Sequence, residues 1–211
     1  MQRALGREAT FVGGRRVTSS DDIDLLRMIL SGVVNKRLVN GLVGKGVPAV
    51  GLSGEDAALI TAEVIDADAL GFAGRPTAIN RDFLCAVMRS GCLPVISPVA
   101  YDAQGGGGAL NVNGDDAASA LAVALRAEEL LLVVDVEGVR NEHAEVISSL
   151  TLEETYQLVE NGTAANGMAA KLEAARAALL AGVSNVRICD LSGITDSSRG
   201  TFITQSQGVV T

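Results

Sequence analysis

The sequence predicts an α/β protein, an αβα sandwich in which helical layers cover both faces of a mainly parallel sheet. Two observations predict this fold class. Helical and extended segments alternate along most of the 211 residues, and the extended runs are mostly apolar on both faces, as in strands buried between helices. A hydrophobic content of 48% also excludes a predominantly disordered chain. The extended runs are Val47–Leu52, Leu93–Val99, Leu130–Val136 and Val186–Asp190.

Two of the helical patterns begin with a capping box, in which a Ser or Thr and an acidic residue three positions later satisfy each other's backbone N–H groups. The first box is Ser19-x-x-Asp22, followed by one apolar face that continues to Val33 and Val34. The second is Thr151-x-x-Glu154. Further helices are predicted over residues 81–90, 115–126 and 168–180. Glycines and a proline mark residues 63–79 as a β-hairpin or excursion, and residues 105–108 as a mobile turn or loop.

Composition excludes several classes of function. The formal net charge of −8, with no run of Lys and Arg, argues against a nucleic-acid partner. The apolar stretches fall well short of the roughly 20 residues needed to span a bilayer. No apolar stretch follows the N-terminus, so we expect a cytoplasmic protein without a membrane anchor. The single histidine, His143, lies in a polar stretch and is interpreted as a solvated loop residue.

The cysteines and one serine motif indicate no catalytic or metal site. Cys85, Cys92 and Cys189 match neither a C-x-x-C metal pattern nor an even-numbered disulfide framework, and they are interpreted as buried thiols. The Gly51-Leu-Ser-Gly54 segment lacks the second glycine of a nucleophile elbow, two residues after the serine. A serine hydrolase is therefore excluded, and no metal ligands are predicted.

The segment from Leu110 to Asp116 is the most informative for chemistry. Asn111 and Asn113 are two residues apart, so on an extended segment their side chains point the same way. Asp115 then falls in the first turn of the next helix, where the helix dipole favours a carboxylate, and it could hold a nearby lysine in place. The alternative interpretation is that Asp115 or Asp116 only caps the helix.

Two cations are candidates for binding anions. Lys171 follows Gly167-Met168 by about one turn, near a helix N-terminus that itself favours negative charge. Arg16, in the motif of residues 13–18, lies just ahead of a helix, and its guanidinium suits bidentate binding of a carboxylate. In isolation, each residue type is more commonly a solvated surface residue.

A loop after the strongest predicted strand is a candidate for nucleotide binding. Residues 135–140 follow that strand, and ligands of open α/β sheets bind beyond the carboxyl ends of strands. The alternative is an ordinary strand-to-loop turn in which Gly138 supplies a positive φ.

In order along the chain, these segments resemble the acetylglutamate kinase branch of the amino-acid kinase family, from about Leu5 to about Ile203. Six motifs carry the resemblance through their order and spacing. They are Gly-Gly-Arg-Arg-Val-Thr at 13–18, Gly-Val-Val-Asn-Lys at 32–36, Ala-Val-Gly-Leu-Ser-Gly at 49–54, Leu-Pro-Val-Ile-Ser-Pro-Val at 93–99, Asn-Val-Asn-Gly-Asp at 111–115 and Gly-Met-Ala-Ala-Lys at 167–171.

The resemblance implies a single, partial amino-acid kinase domain over residues 1–211, with a carbamate kinase-like fold. Residues up to about 110 would belong to the substrate-binding lobe, and residues 111–211 would form the nucleotide-binding lobe. The family's N-terminal strands, with their Lys-x-Gly-Gly and His-Gly-Gly-Gly turns, are not found in the sequence. We therefore expect a fragment, or a chain begun at an internal Met1, whose activity without these turns is open.

The implied reaction moves the ATP γ-phosphoryl group to the side-chain carboxylate of N-acetyl-L-glutamate, for arginine biosynthesis, with Mg²⁺ bridging the phosphates. By match to the family motifs, Arg16, Asn111 and Asn113 would bind the substrate. Lys171 would stabilise the transferring phosphoryl group, and Asp115 would orient the lysine. The residues implied to line the ATP site are Asp135, Val136, Glu137, Gly138, Val139, Arg140, Thr163, Ala164 and Ala165.

Two alternatives remain at this stage. One is a related kinase that acts on a carrier-linked aminoadipate, and the other is a catalytically dead module that binds an acidic amino acid through Arg16 and Asn111. A dinucleotide-binding oxidoreductase is disfavoured because no G-x-G-x-x-G follows a strand. The resemblance also implies a homodimer or a hexamer, with residues 31–41 contributing to its contacts.

Overall fold

The computed structural model describes residues 10–12, 15–104 and 108–205. The chain divides into two compact units, Met1–Ala117 (unit 1) and Ala118–Thr211 (unit 2). Residues 105–107 of the predicted glycine loop, and the two glycines that open the motif of residues 13–18, lie outside the described part.

Unit 1 contains a main sheet and a separate small hairpin. Its strands are β1 (Phe11–Val12), β2 (Arg15–Arg16), β3 (Ala49–Gly54), β4 (Ile60–Val64), β5 (Ala73–Ile79), β6 (Leu93–Asp102) and β7 (Ala109–Val112). Its helices are α1 (Ser20–Leu26), α2 (Asn35–Val43), α3 (Ala67–Leu70), α4 (Arg81–Arg89) and α5 (Gly114–Leu125), the last of which continues into unit 2. The main sheet has the order β3-β6-β4-β5-β7, and β1 pairs only with β2 among the described strands.

The pairing in the main sheet follows the sequence pattern. The predicted runs that became β3 and β6 pair in parallel, from Ala49 opposite Leu93 onwards. The glycine-marked segment forms the antiparallel pair β4 and β5, with the short α3 between them, which confirms the predicted hairpin. The first capping box is also confirmed, because the Ser19 hydroxyl accepts the Asp22 N–H and the Asp22 carboxylate accepts the Ser19 N–H.

The predicted apolar face of the first helix is only partly buried. Ile23 and Leu26 are buried, but Val33 and Val34 are exposed. The reason is a π-helical segment, Arg27–Val34, between α1 and α2. Its longer i to i+5 turns rotate the face that the 3.6-residue spacing predicts. The buried residue after this segment is Asn35, whose amide donates to the carbonyls of Leu52 and Val95 at 3.1 and 2.8 Å.

Unit 2 has its own four-stranded sheet and core. Its elements are β8 (Glu129–Val133), β9 (Ser149–Thr151), α6 (Leu152–Glu160), α7 (Asn166–Leu180), β10 (Asn185–Cys189) and β11 (Thr201–Thr204). The strand order is β8-β10-β11-β9, with β8 parallel to β10 and β9 parallel to β11. Leu172 and Leu179 of α7 pack with Ile188 and Ile203 in one fully buried cluster. These parallel strand pairs, together with the packed helices, confirm the α/β class.

Two predictions about individual side chains differ in outcome. His143 is exposed in a loop, as predicted. Of the three free cysteines only Cys189 is buried, where burial raises its thiol pKa. Cys85 and Cys92 are half-buried, so their prediction as buried thiols is wrong; on α4 the buried residue is Leu84, the neighbour of Cys85. No helix in the described part of the chain is long and apolar enough to cross a membrane.

Candidate active site

Unit 1 contains a cavity of about 270 Å³ whose wall includes Arg16, Asn111 and Asn113. These are the three residues predicted to bind substrate. They come from different segments, since Arg16 lies on β2, Asn111 on β7 and Asn113 just after β7. The rest of the wall is largely apolar, which suits a small molecule with a few polar groups. The apolar part includes Phe11, Leu26, Leu30, Ala73, Pro98 and Val112.

Arg16 has an unpaired donor at this cavity. The pairing of β1 with β2 places Arg16 opposite Phe11. Its Nε is buried and has no hydrogen-bond partner among the described atoms. A buried donor left unpaired costs about 1–3 kcal/mol, so an anionic acceptor that entered the cavity would relieve this cost. At the wall of this cavity, the guanidinium therefore has the chemistry of a carboxylate-binding group.

Thr18 links Arg16 to Asn111. The amide of Asn111 donates to the Thr18 hydroxyl at 3.0 Å, and that hydroxyl lies 3.1 Å from the Arg16 carbonyl, to which it donates. Thr18 is fully buried and forms a parallel bridge with Gly71. A Cβ at Gly71 would lie 2.3 Å from the Thr18 carbonyl oxygen, so this close approach requires glycine. Thr18 ends the Arg16 motif but was not predicted as a positioning residue.

Asn113 does not lie on the same extended segment as Asn111, where it was predicted. Strand β7 ends at Val112, and the side-chain oxygen of Asn113, Oδ1, accepts the N–H groups of Asp115 and Asp116 at 2.8 and 3.4 Å. Asn113 therefore caps α5, and the interpretation of Asp115 or Asp116 as the cap is wrong. Asp115 does lie in the first turn, as predicted. Asp116, which was not assigned a site role, pairs with Arg15.

The predicted nucleotide loop of unit 2, residues 135–140, follows β8 and is held by Thr201. The Val139 N–H donates to the Thr201 hydroxyl at 2.8 Å, and this hydroxyl donates to the Ile147 carbonyl at 2.6 Å. Gly138 does not have a positive φ, so that interpretation is wrong. Glycine is needed for packing instead, because a Cβ at residue 138 would lie 2.6 Å from the Thr201 hydroxyl oxygen.

The other predicted nucleotide residues lie around the start of α7. Residues 163–165 connect α6 to α7, and Ala164 is buried in the same core as Val139, so the two predicted segments are anchored on one core. Helix α7 has no side-chain cap at Ala165, and Lys171 lies half-buried just beyond its first turn. An uncapped N-terminus with a nearby lysine is suited to an anion such as phosphate.

Arg187, which was not predicted as a site residue, organises the loop after β10. Its side chain is 3% exposed and pairs with Glu129 at 2.9 Å. One of its terminal nitrogens, Nη1, donates to the carbonyls of Gly193, Asp196 and Arg199 at 2.8, 3.2 and 2.9 Å. Strands β8 and β10 are parallel and their last residues lie opposite each other. The loop after β10 and residues 135–140 therefore both begin at the carboxyl ends of the strands, on the same side of the sheet. Arg199 joins them through its ion pair with Glu137 at 3.0 Å.

Within the described residues, no group of three His, Cys, Asp or Glu side chains is placed to hold a metal ion. Asp190 begins the loop between β10 and β11. The Ser192 hydroxyl donates a hydrogen bond to its carboxylate, and this bond lowers the pKa of Asp190 because it stabilises the charged form.

Comparison with known proteins places these features in a family. Residues 1–190 match the amino acid kinase family. An acetylglutamate kinase of Jannaschia sp. (strain CCS1) is 42% identical over 190 residues, which cover 90% of this chain and 66% of that protein. An acetylglutamate kinase of Cereibacter sphaeroides (strain ATCC 17029) is 40% identical over 211 residues, covering 96% of this chain and 71% of that protein. The chain thus spans about two thirds of the length of the curated relatives it matches.

Solved structures agree on the fold. The smu.665 protein of Streptococcus mutans UA159 has a TM-score of 0.88 at 29% identity, covering 97% of this chain and 80% of that chain. An N-acetylglutamate synthase from Neisseria gonorrhoeae, complexed with coenzyme A and N-acetyl-glutamate, has a TM-score of 0.84 at 26% identity, covering 98% of this chain and 49% of that chain. A carbamate kinase of Giardia has a TM-score of 0.64 at 18% identity, covering 87% and 72%. The predicted carbamate kinase-like fold is therefore confirmed.

Proposed function

This chain belongs to the amino acid kinase family, and on that basis we propose that it transfers the γ-phosphoryl group of ATP to the side-chain carboxylate of N-acetyl-L-glutamate. The observation that carries the proposal is the cavity of unit 1, whose wall combines Arg16, with its buried and unpaired Nε, with Asn111 and Asn113. Those groups fit the α-carboxylate end of an acidic amino acid. The acyl phosphate formed would serve arginine biosynthesis in the cytoplasm.

Phosphoryl transfer depends mainly on positioning and on stabilising charge. Lys171 would stabilise the charge on the transferring group, and Asp115 would orient the lysine. The nucleotide would bind residues 135–140 and 163–165 of unit 2, and Mg²⁺ would arrive with it as a bridge between its phosphates. The supporting features in unit 2 are the uncapped start of α7 and the two segments anchored on a common core.

The test combines substrate binding with turnover. Isothermal titration of the 211-residue chain should detect N-acetyl-L-glutamate. A coupled assay of ADP release should show turnover with N-acetyl-L-glutamate and none with N-acetyl-L-glutamine, which lacks the acceptor carboxylate. The same assay on a version extended upstream to any in-frame Lys-x-Gly-Gly segment measures what the glycine-rich turns contribute to the rate. Binding without turnover in either form would instead favour the non-catalytic binding module, and turnover only with a carrier-linked aminoadipate would favour the related kinase.

Lys171→Met should lower kcat by roughly 10²- to 10³-fold in the form that turns over, because one preorganised group that stabilises transition-state charge is worth about that much. The dissociation constant for N-acetyl-L-glutamate should not change. Lys45→Met, at an exposed turn after α2, is the matched control and should leave kcat unaltered. Full activity of the Lys171→Met variant would remove this residue from the mechanism.

We further propose that the chain assembles as a homodimer, or as a hexamer of such dimers, through the exposed apolar face where the π-helical segment meets α2. Val34 and Leu38, one turn apart, are 41% and 55% exposed in the single chain. Exposed apolar neighbours of this kind are typical of protein interfaces. Leu38→Glu should shift the mass measured by light scattering towards the monomer, whereas Leu191→Glu, at a more exposed leucine, should not. A monomeric parent chain would contradict the proposal.

A further inference from the structure

The hairpin of β1 and β2 is followed directly by Thr18, which bonds to Asn111 and to the Leu70–Phe72 backbone, and it has a second attachment of its own close to the cavity. Arg15 Nη1 lies 2.6 Å from the Asp116 carboxylate, and the two residues are 101 positions apart in the sequence. Their side chains are 34% and 23% exposed, so the pair is only partly screened by solvent. Arg15 is the immediate neighbour of Arg16, and both line the same cavity.

Apolar burial contributes little to holding this hairpin. Each of its strands has two residues, and Phe11 and Val12 of β1 are 62% and 51% exposed. A two-stranded hairpin of this kind is marginally stable by itself. The Val17 N–H to Thr10 carbonyl hydrogen bond, at 2.9 Å, closes the hairpin internally but does not attach it to the sheet.

The other end of the ion pair is fixed. Asp116 lies in the first turn of α5, where the helix dipole stabilises its negative charge. Its backbone N–H also donates to the Asn113 side-chain oxygen, Oδ1, so the capping residue that lines the cavity and the partner of Arg15 belong to the same helix start. A contact between Arg15 and Asp116 therefore fixes Arg16 relative to Asn113.

We propose that Arg15 is a positioning residue that clamps the β1–β2 hairpin to α5 through Asp116 and thereby holds Arg16 over the cavity. Arg15 acts through Arg16 and does not itself bind the substrate, because Asp116 neutralises its charge. The identity of the ligand, N-acetyl-L-glutamate, rests on the proposed function. The clamp itself rests only on the contacts in unit 1.

The direction in which two substitutions change the affinity for N-acetyl-L-glutamate distinguishes a clamp from a simple charge effect. If Arg15 is a clamp, Arg15→Met and Asp116→Asn should each weaken N-acetyl-L-glutamate binding, by about tenfold, and the double variant should be no weaker than the weaker single one, since both remove the same contact. If Arg15 acted only through its charge, Asp116→Asn would strengthen binding of the anion. That result would overturn the proposal, as would independent, additive effects of the two substitutions.

A measurement without substrate keeps the clamp testable by itself. Hydrogen exchange at the Val17 amide should be faster in both single variants than in the parent chain, and unchanged in Arg75→Met, which removes the Arg75–Glu63 ion pair of the same unit. Unchanged exchange in Arg15→Met or Asp116→Asn would overturn the clamp. If the parent chain failed to bind N-acetyl-L-glutamate, the substrate assignment would fall, while the exchange data would still decide whether the clamp exists.

Discussion

Arg16→Met is expected to weaken binding of N-acetyl-L-glutamate by roughly 30- to 160-fold, or about 2–3 kcal/mol. The guanidinium lies at the wall of the unit 1 cavity with a buried Nε that has no partner among the described atoms. A carboxylate there would accept charge-assisted hydrogen bonds that a thioether cannot supply. Methionine keeps a long, flexible side chain, so the cavity wall should remain filled. Isothermal titration measures the change directly.

Two further variants show whether the loss of affinity in Arg16→Met comes from the guanidinium itself. Arg16→Lys keeps the charge but removes the planar fork, so its affinity should lie between those of the parent chain and Arg16→Met. Arg89→Met, at an exposed arginine in the last turn of α4, should leave affinity unchanged. Equal affinities for the parent chain and Arg16→Met would show that the substrate carboxylate binds elsewhere, even if the fold is intact by thermal unfolding.

Arg187→Met is expected to lower the free energy of unfolding of unit 2 by about 3 kcal/mol. The substitution removes the donor of three backbone carbonyls and leaves the Glu129 carboxylate without its partner. These carbonyls belong to the loop between β10 and β11, so the loop should loosen together with the strands. Urea unfolding gives the free energy, and hydrogen exchange at the amides of β10 and β11 locates the loss.

Arg199→Met serves as the control for this prediction. It breaks the ion pair of Arg199 with Glu137, in which the two side chains are 43% and 58% exposed. Exposed pairs of this kind contribute roughly 0–1 kcal/mol, so this variant should unfold close to the parent chain. A loss below about 1 kcal/mol for Arg187→Met would mean that water replaces the arginine as the donor to the loop.

The fold was largely predictable because its signals are local. Both capping boxes form as the sequence indicated, since each depends on residues three positions apart. The strands β3, β6, β8 and β10 arise within a few residues of the apolar runs that predicted them. The π-helical segment was not predicted, because an apolar face read with a 3.6-residue period contains no sign of a change in hydrogen-bond spacing.

The candidate site was predictable in its residue types but not in its connections. The order of the motifs identified Arg16, Asn111 and Asn113, and the structure brings them to one cavity. The role of Asn113 as a cap, and the role of Gly138 in packing against Thr201, appear only once neighbours are known. The same glycine could serve a turn or a close contact, and the residue type does not distinguish them.

The sequence by itself determined the α/β class, the main helix starts and the family motifs, since these depend on side-chain periodicity and on spacing along the chain. Only the tertiary structure decided that Arg15 pairs with Asp116, 101 positions away, and that Arg187 serves backbone carbonyls. A carbonyl acceptor is present at every residue, so no side-chain pattern marks which ones an arginine will bind. Such contacts follow from how distant segments pack, and packing is set by the folded chain as a whole.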